Sequence, residues 1–255
     1  MLPKMRAFKL TIEYDGTHFS GWQSQTKTTR TVQGEIELAL KKLFGKKVKL
    51  HGSGRTDSGV HAQGQVAHFR VNTPRTTEVI LQALNANLPD DISILECCEV
   101  PKGFHARYST KTKTYRYTIL NRKTRSPVGR QFFYFCPYAL NVARMRRASK
   151  ALIGEKDFKS FQASDTAKNR ALKTKNTVRT IKQLRIRKKN DFIYIDITAN
   201  GFLYKMVRNI VGTLLSIGRG KLSQESIKNI LTEKNRNYAS ATAPAKGLCL
   251  LKVNY

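Results

Sequence analysis

The sequence predicts an α+β fold with largely antiparallel sheets, and three observations lead to this expectation. The chain has 255 residues, 40% of them hydrophobic, which suits one large domain or two closely associated halves with a real core. Short segments with alternating apolar residues are typical of strands, and segments with apolar residues at helical spacing are typical of helices. The two halves also share an order of elements, without a residue-level repeat.

The first predicted half covers residues 1–106 and alternates strand, helix, strand, helix and strand. Its first helix is indicated by Val32, Ile36 and Leu40, which recur at helical spacing, and Gly45 is a stop signal. The predicted elements are a strand at 8–12, a helix at 32–43, a strand around 66–69, a helix at 78–84 and a strand at 92–100.

The second predicted half covers residues 107–255 and opens with the strand "TKTYRYTIL". In this strand Tyr115, Tyr117 and Ile119 share one face, and the residues between them share the other. The further predicted elements are helices at 142–152, 202–217 and 224–231, and strands at 178–186, 192–198 and 248–253.

The charge of the chain points to a polyanionic partner. Lysine and arginine total 47 and aspartate and glutamate 17, which gives a formal net charge of +30. A protein so charged repels itself unless counter-charge is supplied, and nucleic acid is the first candidate, ahead of an anionic membrane. No stretch of about eighteen apolar residues predicts a membrane span, and the N-terminus shows no apolar signal core.

Cysteine and histidine usage predicts neither a metal nor a disulfide framework. The four cysteines form no C-x-x-C pair, and Cys97 and Cys98 are adjacent, which is not zinc spacing. The five histidines form no H-E-x-x-H motif. We therefore expect free thiols in a reducing cytoplasm and no bound catalytic metal.

The segment "HGSGRTDSGVHAQGQ" contains an isolated acid. Asp57 is the only carboxylate between Glu37 and Glu78, and many cations surround it in the sequence. We expect it to be ionised at neutral pH, which suits a nucleophile or an ionic partner better than a general acid. The alternative is a structural aspartate that caps its own turn.

The segment "NGFLYKMVRNIVGTLLSIG" predicts a helix that is apolar on nearly all sides and therefore buried. Arg208 lies away from its apolar centre, near Gly201 and Gly212, where another segment could approach closely. A buried guanidinium needs an anion, and Asp57 is a natural candidate. The alternative is that Arg208 reaches solvent.

Two further basic segments have two interpretations each. In "FHARYSTKTKTYRY" aromatic residues stand beside cations, which suits unstacked bases with their phosphates, or else aromatic packing in a core with cations outside. Between residues 166 and 189 there are ten Lys or Arg residues and no acid. The start of that stretch predicts a loop, either a phosphate-binding arm or a solvated surface.

Taken together, these segments resemble the tRNA pseudouridine synthase A (TruA) family over essentially the whole chain. The resemblance includes "YDGTHFSGWQ", "TVQGEIE", "GRTDSGVHAQGQVAHF", "NANLP", "FHARYS", "KTYRY", "GFLYKMVRNIVGTLL" and "ATAPAKGLCLLKVNY". It implies two ferredoxin-like halves around a central RNA-binding cleft. It also implies a cytoplasmic homodimer that isomerises uridines at positions thirty-eight to forty, in the tRNA anticodon arm, without metal or cofactor.

The resemblance also implies roles for individual residues. Asp57 is the nucleophile, attacking either the uracil base or the sugar C1′. Tyr115 stacks under the uracil, Arg208 pairs with Asp57, and Leu248 completes the apolar wall of the pocket. Arg55 helps to hold the flipped uridine outside the stem. The remaining expected RNA contacts are Arg75, Phe104, His105, Ala106, Arg107, Tyr108 and Lys123.

Two rival functions are compatible with the charge. The first rival is a noncatalytic RNA-binding module. This function would not explain why Asp57, in a glycine loop, is expected to pair with Arg208 on a buried helix. A metal-dependent nuclease needs clustered carboxylates, and the sequence has none beyond Asp90 and Asp91, in a predicted turn. Within the resemblance, Ser58 stands where the family often has alanine, a small change, and residues 165–175 form a longer and more basic loop than usual.

We predict that trimming this basic loop weakens tRNA binding and flattens its salt dependence, because fewer counterions are then released from the RNA. The measurement is the tRNA dissociation constant over a salt series for the intact and trimmed proteins. Equal affinity and equal salt slope would mean that the loop is only solvated surface.

Overall fold

The computed structural model describes residues 5–24, 29–163 and 176–255, so the predicted basic loop lies outside the described residues. The chain forms two compact units. The first contains Met1–Lys111 together with Cys249–Tyr255, and the second is Thr112–Leu248. This division differs from the predicted one, which placed the boundary after residue 106 and gave the last strand to the second half. Within the first unit, Cys249 and Leu250 of the last strand pair with His61 and Ala62.

The first unit has five strands and two helices within its described residues. Its elements are β1 (Met5–Tyr14), α1 (Val32–Phe44), β2 (His51–Gly52), β3 (His61–Asn72), α2 (Thr77–Asn85), β4 (Ile92–Val100) and β10 (Leu248–Asn254). The order across the sheet is β4, β1, β3, β2, with antiparallel neighbours, which is the ferredoxin-like β-α-β-β-α-β arrangement. β10 joins β3 in parallel at Cys249 and Leu250.

The second unit has five strands and three helices within its described residues. Its elements are β5 (Thr112–Leu120), β6 (Tyr134–Phe135), α3 (Val142–Ser149), β7 (Gly154–Asp157), β8 (Val178–Lys189), β9 (Phe192–Ala199), α4 (Met206–Gly218) and α5 (Ser226–Glu233). The order β5, β9, β8, β7 is antiparallel throughout, and β6 pairs in parallel with β5. α3 follows β5 and α4 follows β9, so this unit also has the crossover pattern of a ferredoxin-like half.

The predicted α+β class with largely antiparallel sheets is confirmed, and local sequence signals explain most boundaries. The Thr31 side chain accepts a hydrogen bond from the Gly34 amide and caps the start of α1. Gly45 ends that helix in the left-handed conformation, with φ 68°. The two-residue strands β2 and β6 and the short β7 were not predicted, because such lengths carry no periodic signal.

The buried helix α4 begins later than predicted, at Met206 instead of residue 202. Lys205 has φ 57°, in the left-handed region, so the preceding residues cannot continue the helix. All of its residues except Arg208 and Ser216 are buried. Gly212 faces the 241–243 segment so closely that an added Cβ would overlap the Ala241 carbonyl oxygen. The close approach expected beside Arg208 is therefore present.

The loop after β4 is attached to β3 by side chains that the sequence did not single out. Buried His68 accepts a hydrogen bond through Nδ1 from the Ala106 amide at 3.2 Å. Arg70 donates to the carbonyl oxygen of Lys102 at 2.9 Å. The Tyr255 hydroxyl donates to the Ala106 carbonyl at 2.8 Å. These bonds hold the segment that contains the predicted RNA contacts.

Three histidines meet beneath this segment. The ring centroids of His51 and His68 lie 5.1 Å apart, and that of His105 lies 4.7 Å from His68 and 5.6 Å from His51. The His68 Nε2 atom is buried without a hydrogen-bond partner. Burial lowers the pKa of His68 to about 4, helped by the positive charge of His105, His51 and Arg70. His68 is therefore neutral at physiological pH.

We predict that Gly212→Ala destabilises the protein by about 1–3 kcal/mol, because the added methyl group must displace the backbone at Ala241. Gly103→Ala is the matched control, since an added Cβ there meets no atom within 4 Å. Urea unfolding of both variants measures the difference. Equal stability of the two would show that the 241–243 segment moves away from α4 without cost.

We predict that His68 makes the protein less stable as the pH falls from about 6.5 towards 4. In this range the unfolded chain binds a proton at His68 and the folded protein does not, so the free energy of unfolding decreases by up to about 1.4 kcal/mol per pH unit. Urea unfolding across this range, for wild type and for His68→Gln, isolates the contribution.

The variant should be less stable at neutral pH but should show a shallower decline towards acid. His18→Gln, which removes an exposed histidine, is the control. Parallel curves for wild type and His68→Gln would contradict the assignment of this pH dependence to His68.

Candidate active site

Asp57 lies in a tight turn between β2 and β3. Its carbonyl oxygen accepts a hydrogen bond from the Val60 amide at 3.2 Å, and Gly59 within the turn has φ 74°. Asp57 is half-buried, whereas Arg55 and Ser58 on either side are exposed. The loop therefore bends as predicted, with Gly59 in the left-handed conformation that the turn requires.

A second loop, just after β1, holds this turn from one side. The Trp22 amide donates to the Thr56 carbonyl at 3.1 Å, and the Tyr14 and Thr56 hydroxyls are 2.8 Å apart. Gly21 has φ 96°, and an added Cβ would come within 2.7 Å of the Thr56 oxygen and 3.2 Å of the Asp57 carbonyl carbon. Only glycine fits there, so the "SGW" turn and the Asp57 turn are matched to each other.

Buried Gln65 holds the turn from the other side. Its Oε1 accepts from the Ser53 hydroxyl at 2.7 Å and from the Val66 amide at 3.1 Å. Its Nε2 donates to the Gly54 carbonyl at 3.1 Å. The backbone is thus fixed before and after Asp57, which fixes the frame from which the carboxylate projects.

The exposed neighbours of Asp57 also have defined contacts. Arg55 donates through Nε to Gln23 Oε1 at 3.0 Å, which leaves most of its guanidinium available to an anion. The Ser58 hydroxyl donates to the Phe19 carbonyl at 3.0 Å. The serine that stands where the family often has alanine therefore adds a further bond between the two loops.

The predicted RNA-contacting segment presents an aromatic and basic surface in the first unit. Tyr108 is 78% exposed, and its ring centroid lies 4.3 Å from that of His105. Arg107 is exposed, with its guanidinium carbon 5.9 Å from the centre of the Tyr108 ring. Phe104 packs against Tyr255 at 4.9 Å, and Ala106 is buried. Phe104 and Ala106 thus anchor the segment, the half-buried His105 ring packs against His68, and Arg107 and Tyr108 are the outward groups.

The His51–His105 contact links this segment to the start of the glycine loop, so two of the predicted functional segments meet within the first unit. Arg75 is exposed in the connection between β3 and α2, and its carbonyl oxygen accepts from Arg6 at 2.8 Å. Among the described residues, Arg75 is bonded to Arg6 and not to either of these segments.

The second unit contributes Tyr115 and Arg208 on one side of its sheet. Tyr115 is 8% exposed, and its ring meets Phe202 edge to face at 5.2 Å. Arg208 donates through Nε to the Ala243 carbonyl at 2.8 Å, and the Ala243 amide donates back to the Arg208 carbonyl at 3.1 Å. The guanidinium is therefore half-buried and oriented by the backbone that Gly212 admits.

The charge of Arg208 acts on the face of β5 that carries Tyr115. Burial raises the pKa of Tyr117 well above its usual value, and the positive charge of Arg208 offsets only part of this increase. Tyr117 donates to the Pro244 carbonyl at 2.8 Å, so it is a positioned neutral phenol at neutral pH. The pairing of Arg208 with Asp57, which lies in the first unit, stays a prediction.

Of the last two predicted residues, Leu248 is buried and Lys123 is exposed. Leu248 is 5% exposed at the start of β10, as an apolar wall requires. Lys123 is exposed in the turn after β5. Across the parts of the chain that are described, no three His, Cys, Asp or Glu side chains form a group suited to a metal ion.

Gln65, Tyr14, Trp22 and His68 were given no role by the sequence analysis. Tyr14, Trp22 and Gln65 form hydrogen bonds with the turn that contains Asp57, and His68 forms one with the 104–108 segment. Each of the four contacts at least one group that is distant in sequence. The only available signal was that Tyr14 and Trp22 lie in "YDGTHFSGWQ", and Gln65 and His68 in "GRTDSGVHAQGQVAHF", two segments that resemble the family. That resemblance does not indicate which groups these side chains contact.

Comparisons with known proteins identify the family of the chain. A family model described as tRNA pseudouridine synthase matches residues 10–109 and 148–255. Proteins named tRNA pseudouridine synthase A from Thermoanaerobacter sp. (strain X514) and Caldicellulosiruptor bescii are each 47% identical over 98% of this chain and 100% of their own length. The protein of that name from Clostridium botulinum (strain Eklund 17B / Type B) is 46% identical over the same shares.

A chain in the crystal structure of a Cbf5-Nop10-Gar1 complex aligns with 99% of this chain and 58% of its own length. Its TM-score of 0.37 and identity of 11% are too low to bear on the assignment. The family model matches parts of both units and leaves out residues 110–147, whereas the relatives align over 98% of the chain. The chain belongs to the tRNA pseudouridine synthase family.

Proposed function

We propose that the protein converts uridines at positions thirty-eight to forty of the tRNA anticodon arm to pseudouridine, with Asp57 as the nucleophile. The observation that carries the proposal is the fixed frame around Asp57, which is held from both sides by Trp22, Tyr14 and Gln65. A nucleophile must meet the reacting atom repeatedly in one geometry, and backbone fixation of this kind supplies that precision.

The proposed reaction needs no redox partner and is balanced within the substrate. The bond between N1 of uracil and C1′ of ribose breaks, the uracil rotates, and a bond forms between C5 and C1′. C5 loses a proton and N1 gains one, so the product is an isomer of the substrate. The Asp57 carboxylate forms a transient covalent bond either to the base or to C1′ and is regenerated.

Tyr115 and Arg208 serve this step in the proposal. Tyr115 stacks under the uracil and takes part in the final proton removal. Its buried position against Phe202 supports the stacking role, because the ring is held at a fixed tilt. Arg208 pairs with Asp57 and keeps it ionised. The orientation of Arg208 by the Ala243 carbonyl supports this role.

The target uridine must leave the stem before it can react. In the proposal Arg55 holds it outside the helix, and Leu248 closes the apolar side of the pocket. The outward groups of the 104–108 segment line the RNA path, since an exposed aromatic beside a guanidinium suits a base and its phosphate. Arg75 and Lys123, both exposed cations, contact the phosphodiester backbone.

Two further parts of the proposal rest on the family resemblance. The protein acts as a homodimer in which one tRNA spans both subunits, and it works in the cytoplasm. The four cysteines are free thiols, which is consistent with a reducing compartment. In the part of the chain that is described, no helix combines the length and apolarity needed to cross a membrane.

We predict that Asp57→Asn retains tRNA binding and lowers pseudouridine formation by on the order of a thousandfold or more, because the amide keeps the shape of the carboxylate but not its nucleophilicity. Unmodified tRNA is incubated with each protein and pseudouridine is quantified. Binding and thermal unfolding are measured in parallel.

Asp90→Asn is the matched control, since it removes an exposed carboxylate from the same unit. Wild-type activity should also persist in EDTA, which would exclude a metal-dependent nuclease. Product formation by Asp57→Asn at the wild-type rate would reject Asp57 as the nucleophile. Loss of folding in that variant would instead indicate a structural aspartate.

A further inference from the structure

A basic pocket in the second unit lies outside the site described above. It has a volume of about 430 Å³ and is open to solvent at the exposed end of β8. Its lining consists of five cations and one aromatic residue, namely Arg116, Arg146, Arg187, Lys188, Lys189 and Tyr194. None of these residues was assigned a role in the proposed reaction.

A single carboxylate organises the arginines of this pocket. Asp196 accepts from Arg116 through two bonds, of 2.7 and 2.9 Å, and from Arg187 at 2.8 Å. Burial by itself would raise the pKa of Asp196, but the hydrogen bonds and charges of Arg116 and Arg187 together lower it. One ionised acid thus orders two guanidiniums, and with five lining cations the pocket has a net charge of about +4.

The other lining groups complete an anion site with a stacking surface. Arg146 is oriented by its bond to the Ile186 carbonyl at 2.9 Å. Lys188 and Lys189 are exposed. The Arg116 guanidinium carbon lies 5.4 Å from the centre of the Tyr194 ring. Ordered guanidiniums beside an aromatic ring match a phosphodiester with its neighbouring base better than a small anion.

The pocket faces away from the group proposed to hold the uracil. Tyr115 and Arg116 are consecutive in β5, so their side chains point to opposite faces of the sheet. Arg116 is opposite Asp196, and Arg187 is opposite Tyr194, which places these four side chains on the face without Tyr115. A phosphate bound here is therefore not one that flanks a uridine stacked on Tyr115.

We propose that this pocket binds the RNA backbone of the substrate tRNA at a second contact, remote from the modified uridine. The inference rests on the proposed function, because it takes tRNA as the substrate. A second copy of the chain is the less favourable occupant, since two patches of this charge would repel each other. Charged residues on a strand edge also prevent unwanted strand pairing, but that role does not require ordered arginines around a cavity.

The test compares Lys188→Gln/Lys189→Gln with Lys41→Gln/Lys42→Gln, an exposed adjacent lysine pair on α1. Dissociation constants are measured over a salt series for full-length tRNA and for an isolated anticodon stem–loop. For tRNA, the pocket variant should bind about tenfold more weakly at 0.1 M salt, with the salt slope reduced by about 1 per lysine. The stem–loop should bind as it does to wild type.

Arg187→Gln, at a side chain that is 59% exposed, provides a second variant that should fold normally and give the same pattern. Affinity and slope equal to those of the control pair would overturn the proposal. An equal loss on the stem–loop would place the contact in the modified arm and also overturn it. A change in oligomeric mass without a change in tRNA affinity would assign the face to a protein interface.

Pseudouridine formation by wild type is measured separately with the same tRNA. Its absence, together with the expected binding pattern, would reject the proposed function while leaving the second RNA contact supported. Its presence, with no change in binding for the pocket variants, would reject only the second contact.

Discussion

The shortage of acidic side chains is the constraint on which the arrangement of this protein depends. With 47 basic and 17 acidic residues, most cations cannot be neutralised within the chain. Two of the described acids each hold arginines in place: Asp91 binds Arg30 through two bonds, and Asp196 binds two arginines at once. These guanidinium groups are thereby held in defined positions. The cations that no acid neutralises favour binding of a polyanion.

For Asp57, the hydrogen bonds described above hold the backbone of its turn, whereas those of Asp91 and Asp196 involve the carboxylates themselves. Trp22, Gln65 and the Ser58 hydroxyl tie the turn to neighbouring segments. Gly21 permits two loops to meet at a distance that any side chain would prevent. The same device recurs in the second unit, where Gly212 admits the backbone that orients Arg208. In both units a glycine allows a close contact between backbones that helps to position a candidate functional residue.

The fold class could be predicted from the sequence, and the candidate residues were proposed from it, but the contacts that hold these residues in place could not be predicted. Periodicity identified the long strands and helices, and the apolar circumference of α4 indicated its burial. The start of that helix was missed because Lys205 adopts a left-handed conformation without a glycine signal. His68 and Gln65 act through partners that are distant in sequence, and a single sequence contains no information on which polar group will be opposite. The Asp196 cluster was missed for the same reason, since its members come from three strands.

The pairing of β10 with β3 has a consequence for synthesis on the ribosome. The first unit contains residues 249–255, which are translated only after the whole of the second unit. Nascent chains that have emerged only as far as Lys111 therefore lack the strand next to His61 and Ala62, and the Tyr255 hydroxyl that later bonds to Ala106. The first unit is therefore completed only after the second unit has been translated. The segment after β4 gains its bond from Tyr255 at that late stage.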